Sequence, residues 1–168
     1  MRIHVITTGG TIDVEYSLQG EMVTGPPMVG MLLGRARTGL DVTIDRICRK
    51  DSRDLDDTDR NLIRHRVETS DAERILITHG TDSMTTTAAH LNGITGKVIV
   101  LTGAMQPARM TDSDAAFNVG LAIGSLQTLP PGVYIAMSGR IFAAGTATKD
   151  RSLGLFIHNE TASTSSTP

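Results

Sequence analysis

Two kinds of apolar spacing alternate along this chain. Five short runs are rich in β-branched and aliphatic residues: Ile3–Thr7, Val42–Cys48, Arg74–Thr78, Lys97–Leu101 and Val133–Met137. Those around Ile75–Ile77 and Val98–Leu101 are continuously apolar, as expected of parallel strands covered on both faces. Between the runs the spacing lengthens to that of helices. Met28–Ala36 follows Pro26 and Pro27, which suit a helix start. Asp56–Glu68 opens on acids and carries Leu62, Ile63 and Val67 on one side, and Ser83–Asn92 puts Met84, Ala88 and Leu91 on one stripe. Asp112–Leu126 carries Phe117, Val119, Leu121, Ile123 and Leu126, apolar nearly all round, which predicts a well-buried helix.

Strand and helix in alternation predict an α/β domain: an open, mostly parallel sheet with helices on both faces, spanning residues 1–158. No internal repeat and no interior linker interrupts it. The tail at 159–168 is too polar to pack and is expected to be disordered.

A chain of 168 residues is long enough to bury about two-thirds of its extended surface. Its net charge of −2 makes no electrostatic case for nucleic acid or an acidic membrane as partner. The basic residues Arg46, Arg49, Lys50 and Arg53 are interleaved with Asp45, Asp51 and Asp54, which reads as a mixed surface with one functional member. Cys48, the only cysteine, excludes an internal disulfide and a thiolate cluster, and its aliphatic neighbours predict a buried, inert thiol. No leader pattern and no apolar run of bilayer length is visible, so a cytoplasmic protein is expected.

The chemistry gathers at the carboxyl ends of the predicted strands, where open α/β sheets bind ligands. The first strand runs into Thr7-Thr-Gly-Gly-Thr11 and the second into Asp51-Ser-Arg-Asp54. The third runs into His79-Gly-Thr-Asp-Ser83, the fourth into Thr102-Gly-Ala-Met-Gln-Pro107, the fifth into Ser138-Gly-Arg140. A glycine-rich loop after a first strand can cradle phosphate, yet neither the dinucleotide nor the P-loop spacing is present. Nucleophilic chemistry suits the residues better. A threonine hydroxyl needs a neighbouring base, Thr11 stands on a glycine turn, and Lys149, placed after the last strand, could serve Thr81 and Asp82 as base or proton carrier if desolvated. His79 reads as a packed histidine, with no second His at metal-ligand spacing.

Thr8-Gly-Gly-Thr-Ile12 and His79-Gly-Thr-Asp-Ser-Met84 resemble the two signatures of the bacterial-type L-asparaginases. Asp51-Ser-Arg-Asp-Leu55, Thr102-Gly-Ala-Met-Gln-Pro107 and Thr148-Lys149 resemble further segments of that family in the right order. The resemblance runs to about Phe156 and extends to archaeal tRNA-dependent amidotransferase subunits. It implies that Thr11 attacks the side-chain amide carbon and that Thr81, Asp82 and Lys149 form a second triad. Asp82 would also bind the substrate α-amino group, Ser52 the α-carboxylate, and the Ala104 carbonyl the leaving amide. The implied reaction is hydrolysis of asparagine to aspartate and ammonia through an acyl-enzyme, without metal or cofactor, in a homo-oligomer that acts on a small-molecule amide.

Three departures qualify what the resemblance implies. The family's smaller C-terminal domain, which supplies an acid to the α-amino group from a neighbouring subunit, has no counterpart in this sequence. The family's Ser-Gln pair reads Ser52-Arg53 here, and arginine repels an ammonium but can clamp a carboxylate. The family's mobile tyrosine has only Tyr16 as a match, closer to the nucleophile, with Asp13 and Glu15 beside it. The Gly/Pro content of 13–27 allows a lid. A catalytically weak or inactive amino-acid-binding or regulatory protein, and an amidotransferase component that releases ammonia to a partner, are the alternatives.

Overall fold

The computed structural model describes residues 1–159. In chain order the elements are β1 (Arg2–Gly9), β2 (Val14–Tyr16), β3 (Met22–Thr24), α1 (Val29–Arg35), β4 (Asp41–Lys50), α2 (Asp57–Glu68), β5 (Arg74–Thr78), α3 (Met84–Leu91), β6 (Val98–Thr102), α4 (Ala115–Thr128), β7 (Gly132–Met137), β8 (Arg140–Ala143), β9 (Ala147–Asp150) and β10 (Leu155–His158). Single 3-10 turns cover Thr11–Asp13 and Ser52–Asp54.

The main sheet has six strands in the order β4-β1-β5-β6-β7-β8. β4, β1, β5, β6 and β7 run parallel, and β8 returns antiparallel along β7. All five strands expected from the sequence are therefore present, as is the mostly parallel sheet. β1 lies centrally between β4 and β5, with Val5 opposite both Ile44 and Leu76.

Side-chain alternation divides the core into two layers. Ile3, Val5, Leu76, Val98 and Val100 face Val29, Leu32, Leu33, Val119, Ala122 and Leu126 of α1 and α4. Ile6, Ile75, Ile77, Ile99 and Leu101 face Ile63, Val67, Met84, Ala88 and Leu91 of α2 and α3. Both faces of the sheet are thus covered by helices, and the continuous apolar runs in β5 and β6 follow from that.

The ends of the helices are set locally. α2 starts at a reciprocal capping box: Asp59 N–H donates to Asp56 Oδ1 at 2.9 Å, and Asp56 N–H donates to Asp59 Oδ2 at 3.1 Å. α4 begins at Ala115, three residues later than the spacing predicts, because the Asp114 carboxylate is engaged by the Met105 and Gln106 N–H groups. That helix is also less enclosed than its composition predicts. Phe117 is exposed, its ring lying near Gly139 in the turn between β7 and β8.

Three regions depart from the sequence expectation. The stretch 13–27 contains a hairpin, β2 against β3, with Tyr16 opposite Met22. β8 closes the sheet edge. Lys149, expected after the last strand, itself stands on a further strand, β9, paired with Phe156 of β10. These strands are three or four residues long, too short for alternation to announce them, and each is held by a ladder with its neighbour in sequence across a short turn. The polar tail from 160 to 168 lies outside the described residues, and Asn159, counted with that tail, is held by hydrogen bonds to Thr146 and Gly145.

Candidate active site

The carboxyl ends of β1, β4, β5 and β6 meet through bare backbone. Gly10 has φ 82° and ψ −176°, a conformation essentially closed to residues with a Cβ. A Cβ there would lie 2.3 Å from Gly80 Cα, and one on Gly80 would lie 2.6 Å from Ser52 Cβ. A Cβ on Gly103 would lie 2.3 Å from the His79 carbonyl oxygen. The segments bearing Thr11, Ser52, Thr81 and Ala104 are therefore pressed together by successive glycines. Backbone bonds lock them: Gly10 N–H to Lys50 O at 2.9 Å, His79 N–H to Thr102 O at 2.9 Å, Ala108 N–H to Ile12 O at 3.1 Å.

His79 lies beneath this floor and is fully buried. Its Nδ1 lies 2.7 Å from the Gly80 carbonyl and its Nε2 2.9 Å from Thr87 Oγ1. A carbonyl only accepts, so Nδ1 carries the proton and the Thr87 hydroxyl donates to Nε2. Burial, aided by the nearby Arg60 charge and opposed by the Gly80 carbonyl, pushes the imidazole down to about 4. His79 is a neutral bracket for the turn, as its packed reading expects.

Above the floor, three of the sequence candidates come together. Lys149 Nζ donates to Thr81 Oγ1 at 2.7 Å and to Asp82 Oδ1 at 2.7 Å. The Asp82 N–H donates to Ser52 Oγ at 3.2 Å, and Ser83 Oγ donates to the Ser52 carbonyl. Ser52 is buried, with Asp51 capping its turn through the Arg53 N–H at 2.9 Å. Arg53 reaches over the site with Nε 3.9 Å from Asp82 Oδ2. Ala104 is buried at the end of β6. Its loop is pinned on two sides: Asn118 Nδ2 donates to Gly103 O at 3.1 Å, and Asp114 receives Met105 N–H at 3.0 Å.

Thr11 stands half-buried on the turn that follows Gly10. Tyr16 is placed elsewhere. It is 67% exposed on β2, beside Met22, Pro107 and Met110, and no hydrogen bond joins it to Thr11 among the described residues.

The acids next to Tyr16 have structural partners. Asp13 Oδ1 accepts the Met28 N–H at 2.8 Å, its carbonyl accepts the Gly25 N–H, and burial raises its carboxyl to about 6. Glu15 pairs with Arg109 at 2.9 Å. Asp13 thus ties the chain leaving the hairpin to the turn bearing Thr11, and Glu15 ties β2 to the loop that follows β6. Cys48 is only half-buried. Its thiol donates to Thr8 O at 3.2 Å, and burial raises its pKa to about 11, so it is inert as expected. The basic cluster is mostly engaged with acids and carbonyls, Lys50 with Asp59 at 2.7 Å and Arg49 with the Thr24 carbonyl.

Sequence reasoning missed Asn118, Asp114 and Arg151. Asn118 had a signal, a carboxamide amid the apolar residues of α4. Arg151 had a weaker one, lying two residues beyond Lys149 at the end of a strand.

Residues 2–157 match the family described as asparaginase, N-terminal. The chain belongs to the asparaginase family. A glutaminase-asparaginase from Acinetobacter glutaminasificans is 39% identical over 89 residues, which cover 50% of this chain and 26% of that protein. An L-asparaginase from Thermococcus kodakarensis is 36% identical over 84 residues, covering 48% of this chain and 26% of that one. Among solved structures, the thermostable L-asparaginase from Thermococcus kodakarensis superposes with a TM-score of 0.84 at 29% identity, over 94% of this chain and 51% of that one. A probable cytoplasmic L-asparaginase from Campylobacter jejuni gives 0.81 at 25%, over 95% and 53% respectively. The chain thus spans about half the length of these solved relatives and about a quarter of the curated ones it matches. No helix among the described residues is long and apolar enough to cross a membrane.

Proposed function

We propose that this asparaginase-family domain is an amidohydrolase that cleaves L-asparagine, or a related small amide, to the acid and ammonia through an acyl-threonine. The observation that carries this reading is the Lys149 ammonium shared between Thr81 Oγ1 and Asp82 Oδ1 at 2.7 Å each. A binding module has no use for a lysine directed at a hydroxyl, whereas proton transfer needs that geometry.

In this reading Thr11 Oγ1 attacks the amide carbon, and its proton passes to the departing nitrogen, which leaves as ammonia. Backbone N–H groups beside Thr11 and Thr81 stabilise the oxyanion. Water then attacks the ester carbon. Its proton passes to Thr81 Oγ1, whose own proton is relayed to the ester oxygen while the Lys149 ammonium holds the Thr81 hydroxyl in place, and Thr11 is released. Asp82 holds Lys149 against Thr81, Ser52 orients the substrate carboxylate, and Ala104 offers its carbonyl to the amide nitrogen. Tyr16 joins Thr11 once the hairpin moves inward. No step calls for a metal or cofactor.

Arg53 and Arg151 are 69% and 76% exposed at the rim, so the cleft needs cover to exclude water. A second copy of the chain supplies it in this reading, as a homo-oligomer. A cytoplasmic location agrees with the Campylobacter jejuni neighbour, itself described as a probable cytoplasmic L-asparaginase. The same open rim favours a second reading, a weak or inactive amino-acid-binding protein.

Ammonia release from L-asparagine, L-glutamine and simple amides, measured beside Thr11→Ala, separates the two. Turnover lost in the variant supports the enzyme. Ligand binding without turnover above the variant supports the binding protein.

A further inference from the structure

The carboxylate of Asp82 is ringed by cations. Lys149 Nζ lies 2.7 Å from Oδ1, Arg151 Nη2 lies 3.7 Å from the same oxygen, and Arg53 Nε lies 3.9 Å from Oδ2. Asp51 fixes Arg53 in that place: Nε donates to Oδ1 at 3.1 Å and Nη2 donates to Oδ2 at 2.9 Å, a bidentate grip. Asp51 is itself anchored as the cap of the Ser52 turn. Arg53 is therefore a built part of the rim and not a loose surface side chain.

These five groups in direct contact comprise three cations and two carboxylates, with Asp54 a further carboxylate near Arg53. The negative charge of Asp82 is already matched at close range by Lys149. An ammonium brought to either Asp82 oxygen would stand beside like charges on both flanks. A carboxylate brought to the same rim meets two guanidinium groups that have donors in a planar fork suited to it.

We propose that Arg53 and Arg151 are specificity-determining residues that turn this site toward amides bearing a carboxylate and no free α-ammonium. Dicarboxylic acid monoamides and N-acylated asparagines form this class. The proposal rests on the amidohydrolase reading for turnover, and its charge argument holds equally for a site that only binds.

The test compares kcat/KM for ammonia release from L-asparagine, succinamate and N-acetyl-L-asparagine in the wild-type chain, Arg53→Gln and Arg151→Ala. Succinamate differs from asparagine only in having hydrogen where asparagine has its ammonium. Wild type is expected to prefer succinamate at least about tenfold, mainly through KM, and each variant to narrow or reverse that ratio. A wild-type preference for L-asparagine, or a ratio that neither variant changes, overturns the proposal. If no amide yields ammonia above the Thr11→Ala background, the amidohydrolase reading fails separately. Calorimetric titration of succinate against L-aspartate then decides: tighter succinate binding that Arg53→Gln weakens supports the clamp. Tighter aspartate binding, or no binding of either, overturns it.

Discussion

Gly10 and Gly80 touch backbone to backbone, so closely that a Cβ on Gly10 would lie 2.3 Å from Gly80 Cα and 2.4 Å from its nitrogen. This contact brings the end of β1, bearing Thr11, against the end of β5, bearing Thr81 and Asp82. Gly10→Ala must then displace one of the two strand ends. The strained backbone alone costs about 1–3 kcal/mol, and the clash adds to it. Reduced stability in urea titration is expected, with ammonia release lost. A Gly10→Ala variant of wild-type stability and activity would show that the contact does not position the site.

In the proposed mechanism Lys149 acts through Thr81, to which its ammonium donates at 2.7 Å. Lys149→Met keeps the stem and removes the shared proton donor, and is expected to lower kcat about 10²–10⁴-fold. Thr81→Val alone should fall in the same range, and the double variant should fall little further, because one proton path is cut once. Additive losses in this cycle would mean that the two residues serve separate steps.

The buried imidazole of His79 gives stability a pH dependence of defined sign. Its folded pKa of about 4 lies below the ordinary 6.5, so between these values the unfolded chain binds more protons. His79 therefore makes stability fall as pH drops from about 6.5 toward 4, by up to about 3 kcal/mol. Asp13, raised by burial to about 6, acts in the opposite sense between 3.8 and 6. Urea midpoints of wild type and His79→Gln at pH 7 and pH 4.5 isolate the histidine: the gap between them should shrink in acid. A constant gap would exclude a titrating His79.

Asp13 holds the hairpin. Asp13→Ala leaves the Met28 N–H without its side-chain acceptor, which costs about 1–3 kcal/mol. Faster amide exchange is expected in β2 and β3 before any other element, with a fall in activity if Tyr16 serves the site. Exchange unchanged across 14–28 would show that Glu15 and Arg109 suffice as the tie.

Asn118 ties three segments. It donates to Gly103 O and to Asp114 Oδ2, and accepts the Ser138 N–H at 3.3 Å. Asn118→Ala should destabilise by about 1–3 kcal/mol and raise KM, because the Ala104 carbonyl loses its support. A variant with normal KM would separate Asn118 from the site.

Much of the fold was legible because long-range order here coincides with local pattern. Ile75–Ile77 and Val98–Leu101 lack polar alternation since helices cover both faces, and the acids at Asp56 and Asp59 announce a helix start by direct contact. Phe117 misled because an apolar residue in a helix does not state which face it occupies. β9 and β10 were invisible because four-residue strands carry no periodicity until a partner pairs them.

The sequence by itself determined the layered α/β domain, and it placed Thr11, Ser52, Thr81, Asp82 and Ala104 at strand ends. Those properties follow from spacing along the chain, which fixes the face and the end of each element. Only the tertiary structure decided that Lys149 rides on its own strand to reach Thr81. It also showed that Asn118 and Asp114 brace the Ala104 loop, and that Arg53 and Arg151 surround Asp82. Lys149 and Thr81 lie 68 positions apart. Nothing in either local sequence records the other, because the contact is made by the packing of the sheet and not by the chain between them.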